Sequence, residues 1–372
     1  PAGAELDRLP DPADVSAKGS VLWDVFEKYR QLGFDALESG ESELGPAEAA
    51  RLRCMVNEEL GWGDSGLAIS LAVTGMPRIF AQMSGRPELI ERYCGPDNKD
   101  IGCWAITEPD HGSDTLAFDQ GHFSDTSLRA NCIARKDGDQ WVINGQKAAW
   151  VSNGTIATVA ALFCTIDPSQ GFKGGGVAVV PLDLPGVSRG KPLDKLGQRA
   201  LDQGEIFFDD VRIPAEYMVI GSDAYGFILE TVLTMANAGM GTIFVGVARA
   251  ALEHAIDYAK ERVQGGVPIF EHQSVKARLF KMFAQVEAAR ALARRVVVYN
   301  AMNQPGLVQY SIASKVFSTN TAFEAASAAL QIYGGNGLSR EYPIEKLLRD
   351  ARASMIEDGC NDILSLVGAE KL

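Results

Sequence analysis

Three stretches carry residue types that chemistry could use. In WAITEPDHGSD at 104–114, the hydroxyls of Thr107 and Ser113 and the backbone around Gly112 put short donors on one tight turn. Such a turn can hold an anion or the polar edge of a heteroaromatic ring, or it can simply link two domains through its Pro-Asp pair. In INGQKAAWVSNG at 143–154, a hairpin-like Asn-Gly precedes Trp150 and Ser152, two apart and so on one strand face. That face could stack a planar ring and hydrogen-bond its nitrogen, or Trp150 could pack in the core. The third stretch is QIYGGNGLSREYPIEKLLRDARASMIEDGCND at 331–362. Gly334, Gly335 and Gly337 can end a helix and admit another backbone. Arg349 and Asp350 read as a structural ion pair. Glu357 and Asp358 precede Gly359 at a helix-to-loop junction, where two acids oppose the helix dipole by about a few tenths of a kcal/mol. They are either an acid–base pair or a solvated turn.

The elements that must position these residues fall in three zones. From about 19 to 95 apolar residues recur at helical spacing, as in VLWDVFEKYRQLGF and AEAARLRCMVNEELGW. From about 101 to 213 short β-branched runs alternate with Asp-Gly, Asn-Gly and Gly-Gly, the pattern of antiparallel strands. From about 223 long periodic segments return and suit a helix bundle. The expected fold is α+β and multidomain: a helical domain at 1–100, a middle antiparallel β-domain at 101–220 and a helical bundle at 221–372. The helix–strand alternation of a doubly wound nucleotide-binding domain is absent.

Composition narrows the function. The 372 residues carry a net charge of -13, distributed as -8, -5 and 0 over the three zones. No basic run could release counterions from phosphates, so nucleic-acid binding is excluded. Six scattered cysteines without a C-x-x-C pair, and four histidines without ligand spacing, suggest reduced thiols and no metal. The acidic, proline-bearing start does not read as a signal peptide. No run approaches the roughly 18–20 apolar residues of a membrane span. The expectation is a cytoplasmic protein.

The T-E-P-x-x-G-S-D run at 107–114 and the Q-I-x-G-G-N-G…E-Y-P-x-E-K-x-x-R-D run at 331–350, in that order, resemble the acyl-CoA dehydrogenase family from about residue 20 to the end. The resemblance implies a helical domain, a β-barrel-like middle domain and a C-terminal four-helix bundle, with FAD between the last two. It also implies a homotetramer, an acyl thioester substrate carried by CoA or a carrier protein, and an electron-transfer flavoprotein as acceptor. By the same resemblance Trp104, Ile106 and Thr107 flank the flavin, with Gly112 in the same cofactor-binding turn. Ser113 reaches the pyrophosphate, Trp150 lies beside the ring and Ser152 hydrogen-bonds N5. Arg262, Gln273, Gln331 and Gly335 resemble contacts made across the subunit interface. Ser113, Asn237, Glu357 and Gly359 correspond to positions facing the substrate. His272 is divided between packing and ligand contact.

The family removes an α-proton from the thioester and passes a β-hydride to the flavin, commonly with a Glu before a Gly as base. Here that position holds Asp358, one methylene shorter. A carboxylate withdrawn by roughly an ångström can lose about 100-fold in rate. The substrate can sit closer to the backbone, Glu357 can serve as base or polar wall, or the chemistry can differ. The alternative base position on the first bundle helix, within LTMANAGMG at 233–241, holds no carboxylate. Asp358 is the expected base. Asn237 stands where an Arg is common, and Cys360 and Asp362 replace a hydroxyl and an amide. Two acids at the pocket disfavour a long plain chain and point to a short, branched, cyclic or functionalised acyl group. The alternatives are a nitroalkane-type oxidase, an elimination without net oxidation, and a non-catalytic flavin-binding subunit.

Overall fold

The protein is described by a computed structural model over residues 1–34, 43–95 and 97–372. The helical start comprises α1 (Ala2–Asp7), α2 (Val21–Gln31), α3 (Pro46–Gly63), α4 (Ser65–Thr74), α5 (Met76–Met83) and α6 (Pro87–Cys94). The part of the expected helical zone at 35–42 lies outside the described residues. Caps set the helix starts: Ser20 Oγ accepts the Leu22 N–H at the head of α2, and Asp64 Oδ1 accepts the Leu67 N–H at 2.8 Å at the head of α4. Proline occupies the first turn of α3, α5 and α6, where its missing donor leaves nothing unpaired.

The strands are β1 (Gly102–Ala105), β2 (Ile133–Asp137), β3 (Gln140–Lys147), β4 (Val159–Thr165), β5 (Gly175–Pro181), β6 (Val187–Arg189), β7 (Ile206–Pro214) and β8 (Met218–Ile220). They form one sheet in the order β6-β7-β3-β2-β4-β5-β8, with β1 joined to β4. Most pairs are antiparallel. The pairing of β1 with β4 is parallel, as is the single contact of Ile133 in β2 with Thr165 in β4. Asp137 and Gln140 close the β2–β3 hairpin around Gly138, which has a φ of 64°. Asn144-Gly145 is not a hairpin turn. It lies inside β3 where the register against β7 shifts, and Gly145 has a φ of 142° with Cys132 so close that a Cβ would sit 2.5 Å from its Cα. This is a bulge.

Strand period two divides β4 and β5 between two cores. Val159, Ala161, Phe163, Val177 and Val179 pack with helix residues such as Phe80, Tyr225 and Leu229. Ala160, Leu162, Cys164, Ala178 and Val180 pack with Ile143, Ile206, Phe208 and Val211 inside the β-domain. Both faces of these strands are therefore buried, and the sheet is clamped against the helices.

The C-terminal part comprises α7 (Ser222–Glu261), a short hairpin β9 (Val263–Gln264) and β10 (Val267–Pro268), α8 (Gln273–Met302), α9 (Val308–Tyr333), α10 (Ile344–Ser354) and α11 (Asn361–Ala369). Helix α7 packs along α9, α3 and α8, while α10 and α11 lie on α9 and complete the bundle. α7 is long and apolar enough to cross a membrane by length and composition, but its apolar stretch is mostly buried in this core. Gly61 and Gly246 let α3 and α7 meet backbone to backbone: a Cβ on Gly246 would lie 2.1 Å from the Glu58 carbonyl oxygen. Beside that contact the buried Glu58 carboxylate accepts from Arg249 Nη1 at 3.1 Å, Arg290 Nη2 at 2.9 Å and Arg294 Nη2 at 3.0 Å.

Candidate active site

The turn between α10 and α11 carries two consecutive residues in left-handed conformation, Asp358 (φ 52°) and Gly359 (φ 91°). Asp is among the few non-glycine residues that enter this region readily. Gly359 has no room for a side chain, because a Cβ would lie 2.8 Å from both Leu116 Cδ1 and Leu364 Cδ2. Helix α9 holds the turn. Lys315 Nζ donates to the Gly359 carbonyl at 2.9 Å and to Asn361 Oδ1 at 2.8 Å. Asn361 Nδ2 donates in turn to Thr319 Oγ1 at 3.1 Å and Asn320 Oδ1 at 3.2 Å. From the β-domain, Ser113 Oγ accepts the Cys360 N–H at 2.9 Å. The N–H groups of Asp358 and Gly359 have no acceptor among the described residues.

The two carboxylates differ in their partners. Gln198 Nε2 donates to Glu357 Oε1 at 2.6 Å, and Gln198 is itself fixed by a 2.5 Å bond from its N–H to Asp350 Oδ1. Asp358 accepts no hydrogen bond among the described residues. Burial and the adjacent Asp358 charge push Glu357 up to about 7, against the opposing influence of Gln198, Lys315 and Lys195. Burial also raises Asp358, with Lys315 opposing. The same burial lowers Lys315 to about 8 and Lys195 to about 8. Two acids and two amines thus share one poorly solvated site.

Loops of the β-domain reach this turn. Lys195 Nζ donates to Gln203 Oε1 at 2.8 Å, and Gln203 Nε2 donates to the Trp150 carbonyl at 3.1 Å and to Ser152 Oγ at 3.4 Å. Strand β3 ends at Lys147, so Trp150 and Ser152 do not share a strand face as expected; Ser152 makes an isolated bridge to Gln203. Trp150 is 58% exposed, which rules out the core-packing alternative. Trp104, on the helix-facing side of β1, has a buried indole N–H without a partner among the described residues. The Ile106 carbonyl accepts from Lys147 Nζ at 3.0 Å and the Thr107 carbonyl from the Ala148 N–H at 2.9 Å, while the Thr107 hydroxyl has no partner among the described residues. Gly112 is not the open donor expected, because its N–H is taken by Asp114 Oδ1 at 2.6 Å.

Family models for the acyl-CoA dehydrogenase middle domain and C-terminal domain match residues 103–211 and 226–372. The chain is 35% identical to the short-chain specific acyl-CoA dehydrogenase of Mus musculus, over 99% of this chain and 87% of that protein. The chain belongs to the acyl-CoA dehydrogenase family. It is also 33% identical to a cyclohex-1-ene-1-carbonyl-CoA dehydrogenase of Syntrophus aciditrophicus, over 86% of this chain and 74% of the relative. The solved butyryl-CoA dehydrogenase of Megasphaera elsdenii superposes with a TM-score of 0.83 at 27% identity, covering 99% of this chain and 93% of that one. Like the family, the chain is an FAD-dependent oxidoreductase acting on CH–CH groups.

The residues present fit that cofactor. An exposed indole at Trp150, the adjacent Ser152 hydroxyl, the unpaired Thr107 hydroxyl and the orphaned Trp104 N–H are suited to a planar heteroaromatic ring bearing polar edges. The four remaining cofactor candidates of this acyl-CoA dehydrogenase lie elsewhere. Arg262, Gln273, Gln331 and Gly335 are exposed at the far end of the bundle. Lys315 and Gln331 are sixteen residues apart on α9, about 24 Å along its axis. A surface groove of about 520 Å³ there is walled by Arg278, Lys281, Gln285, Phe323, Glu324 and Gln331. His272 Nε2 contacts the Gln264 carbonyl at 2.9 Å and thereby braces the β9–β10 hairpin. Asn237 is fully buried in α7, its Nδ2 donating to the Leu233 carbonyl and its Oδ1 without a partner among the described residues.

Arg349 and Asp350 do not pair with each other. Arg349 binds Asp7 of α1 and Glu345 one turn back in its own helix, whereas Asp350 binds Lys346 of that helix and accepts the Gln198 N–H from the β-domain. Sequence reasoning missed Gln198, Lys195, Gln203 and Lys315, none of which stands in a motif. It also missed the function of Glu108 inside T-E-P: its buried carboxylate bonds Lys147 Nζ at 2.7 Å and the Cys132 N–H at 3.0 Å, anchoring the loop that carries Thr107 and Ser113.

Proposed function

We propose that the protein converts a short, branched, cyclic or functionalised acyl thioester to its 2-enoyl thioester, with Asp358 as the base. The carrying observation is the unequal engagement of the two acids: Glu357 is held by Gln198, whereas Asp358 is free and fixed by its left-handed turn. Asp358 takes the α-proton, the C–H electron pair remaining on the substrate while an O–H bond forms on the carboxyl. Its burial raises its proton affinity toward that of the acidified carbon. The free N–H groups of Asp358 and Gly359 are suited to polarise the thioester carbonyl. Bound FAD supplies the hydride acceptor that completes the oxidation. Trp104, Ile106, Thr107, Ser113, Trp150 and Ser152 would hold it, with Arg262, Gln273, Gln331 and Gly335 serving a neighbouring subunit.

The substrate class follows from polarity. Glu357, Asp358, Lys195, Lys315 and Gln198 gather at one end of the site, and a long methylene chain there would strip water from charges without replacing it. A homotetramer is supported by the exposed Phe280 and Phe283 on α8, whose rings lie 6.2 Å apart on an unpaired face. Free cysteines support a reducing, cytoplasmic setting, and an electron-transfer flavoprotein is the proposed acceptor.

Anaerobic mixing with a panel of acyl-CoAs tests the reading. Bleaching of the flavin by short, branched or cyclic thioesters is expected. Highest kcat/KM for long unbranched chains would overturn the substrate class. Turnover of nitroalkanes in oxygen without bleaching by any thioester would overturn the reaction.

A further inference from the structure

Helix α9 carries one basic residue, Lys315, set among the buried Ser311, Ser314, Ser318 and Thr319. The side chain is wholly inaccessible, and burying an ammonium without compensation costs several kcal/mol. Yet it makes no salt bridge among the described residues. Its two hydrogen bonds go to neutral oxygens, the carbonyl of Gly359 and Oδ1 of Asn361, both on the turn that presents Asp358. Thr319 and Asn320, one helical turn further on, grip the same Asn361 through its amide. The acids nearest the ammonium electrostatically are Asp358 and then Glu357, followed by the Cys360 thiol.

We infer that Lys315 is a positioning residue for proton abstraction: from inside the bundle it fixes the turn bearing Asp358 and sets a positive charge behind that turn. The inference rests on the proposed role of Asp358. The turn's left-handed conformation explains why such an anchor is required. Two consecutive residues at positive φ are held by few local bonds, and the Gly359 carbonyl would otherwise be a buried acceptor without a donor. The charge has a separate effect. The charged group acting on Asp358 is Lys315 from α9, with Glu357 adjoining it on the same turn; Cys360 acts on Lys315, and Lys195 acts from the β-domain loop on Glu357. Lys315 is the cation that opposes the burial of Asp358.

The test is Lys315→Met in the holoenzyme, which keeps length and removes charge. With a short acyl-CoA that reduces the wild-type flavin, the acid limb of the anaerobic reduction rate should move to higher pH by about one unit or more, as expected for loss of a neighbouring opposite charge. The deficit should be about tenfold per unit on that limb and shrink at alkaline pH, with FAD content unchanged. In an Asp358→Asn background the same substitution should add no further loss. A uniform loss at every pH with the limb unmoved, or a full multiplicative loss on top of Asp358→Asn, overturns the inference. If Lys315→Met fails to fold, Asn361→Asp replaces it: pairing the ammonium with a new carboxylate should move the limb in the same direction, and an unmoved limb counts against the inference. Undiminished reduction by Asp358→Asn alone would instead remove the base assignment and leave the Lys315 contacts structural.

Discussion

Replacing each of the adjacent acids with its amide separates their roles. Gln198 engages one oxygen of Glu357, its Nε2 donating to Oε1 at 2.6 Å, and a proton taken up on the other oxygen would weaken that bond. Hydrogen bonds to charged groups contribute about 1.5–3 kcal/mol and neutral ones about 0.5–1.5 kcal/mol, so a loss of about 1–1.5 kcal/mol would slow a Glu357-based reaction by about 5- to 13-fold. Asp358 has no such bond to weaken among the described residues. Removing a general base costs about 10²–10⁴-fold. Asp358→Asn should therefore lower the rate of anaerobic flavin reduction by about 10²-fold or more, whereas Glu357→Gln, whose amide oxygen can still accept from Gln198, should stay within about tenfold of wild type. Stopped-flow absorbance of the flavin with one short acyl-CoA across pH measures all of this. If Glu357→Gln abolished reduction and Asp358→Asn did not, the assignment would be reversed and the Gln198 contact would have to be a resting-state lock.

Stability follows from other features. Glu108 and Lys147 form a wholly buried pair, so Lys147→Met should destabilise by about 3–5 kcal/mol in urea unfolding, and a paired Glu108→Leu change should recover part of that loss. Trp150→Ala removes an exposed side chain and should change apoprotein stability by less than about 0.5 kcal/mol while weakening FAD retention on gel filtration. An equal loss of both would place Trp150 in the core after all. Folding linkage gives a pH signature for Glu357. Its folded carboxyl is raised to about 7, so the native state holds the extra proton between the ordinary carboxylate range and that value, and this contribution to stability is lost as pH rises through it. The thermal midpoint of Glu357→Gln relative to wild type should accordingly climb from about pH 5 to about pH 8.

The order of helices, strands and helices was legible because amphipathic period and turn residues are local. What sequence could not show was pairing between distant segments. The parallel seat of β1 on β4 leaves no trace in either strand. Asn144-Gly145 has the composition of a hairpin turn, yet it serves as a bulge because Cys132 crowds it and Asp210 takes the Asn144 side chain. Arg349 and Asp350 are neighbours in sequence but point from α10 toward different partners, as successive helical residues must. The motifs located Thr107, Ser113 and Asp358, but not the supports beneath them. A single lysine among small residues in an apolar helix was the one available sign of Lys315, and it becomes meaningful only when the distant turn is laid over it.

Three guanidinium groups from α7 and α8 converge on the single carboxylate of Glu58 in α3. Detaching the first helices would remove Glu58 and Glu59, leaving Arg249 and Arg290 only Glu253 and Glu287 of their own helices and Arg294 no ion pair among the described residues, so the N-terminal helices have no inexpensive way to peel off as an independent unit. Backbone amides of α3 and of the middle of α7 should exchange with deuterium in one shared opening event, making the first part of the chain a cooperative extension of the bundle.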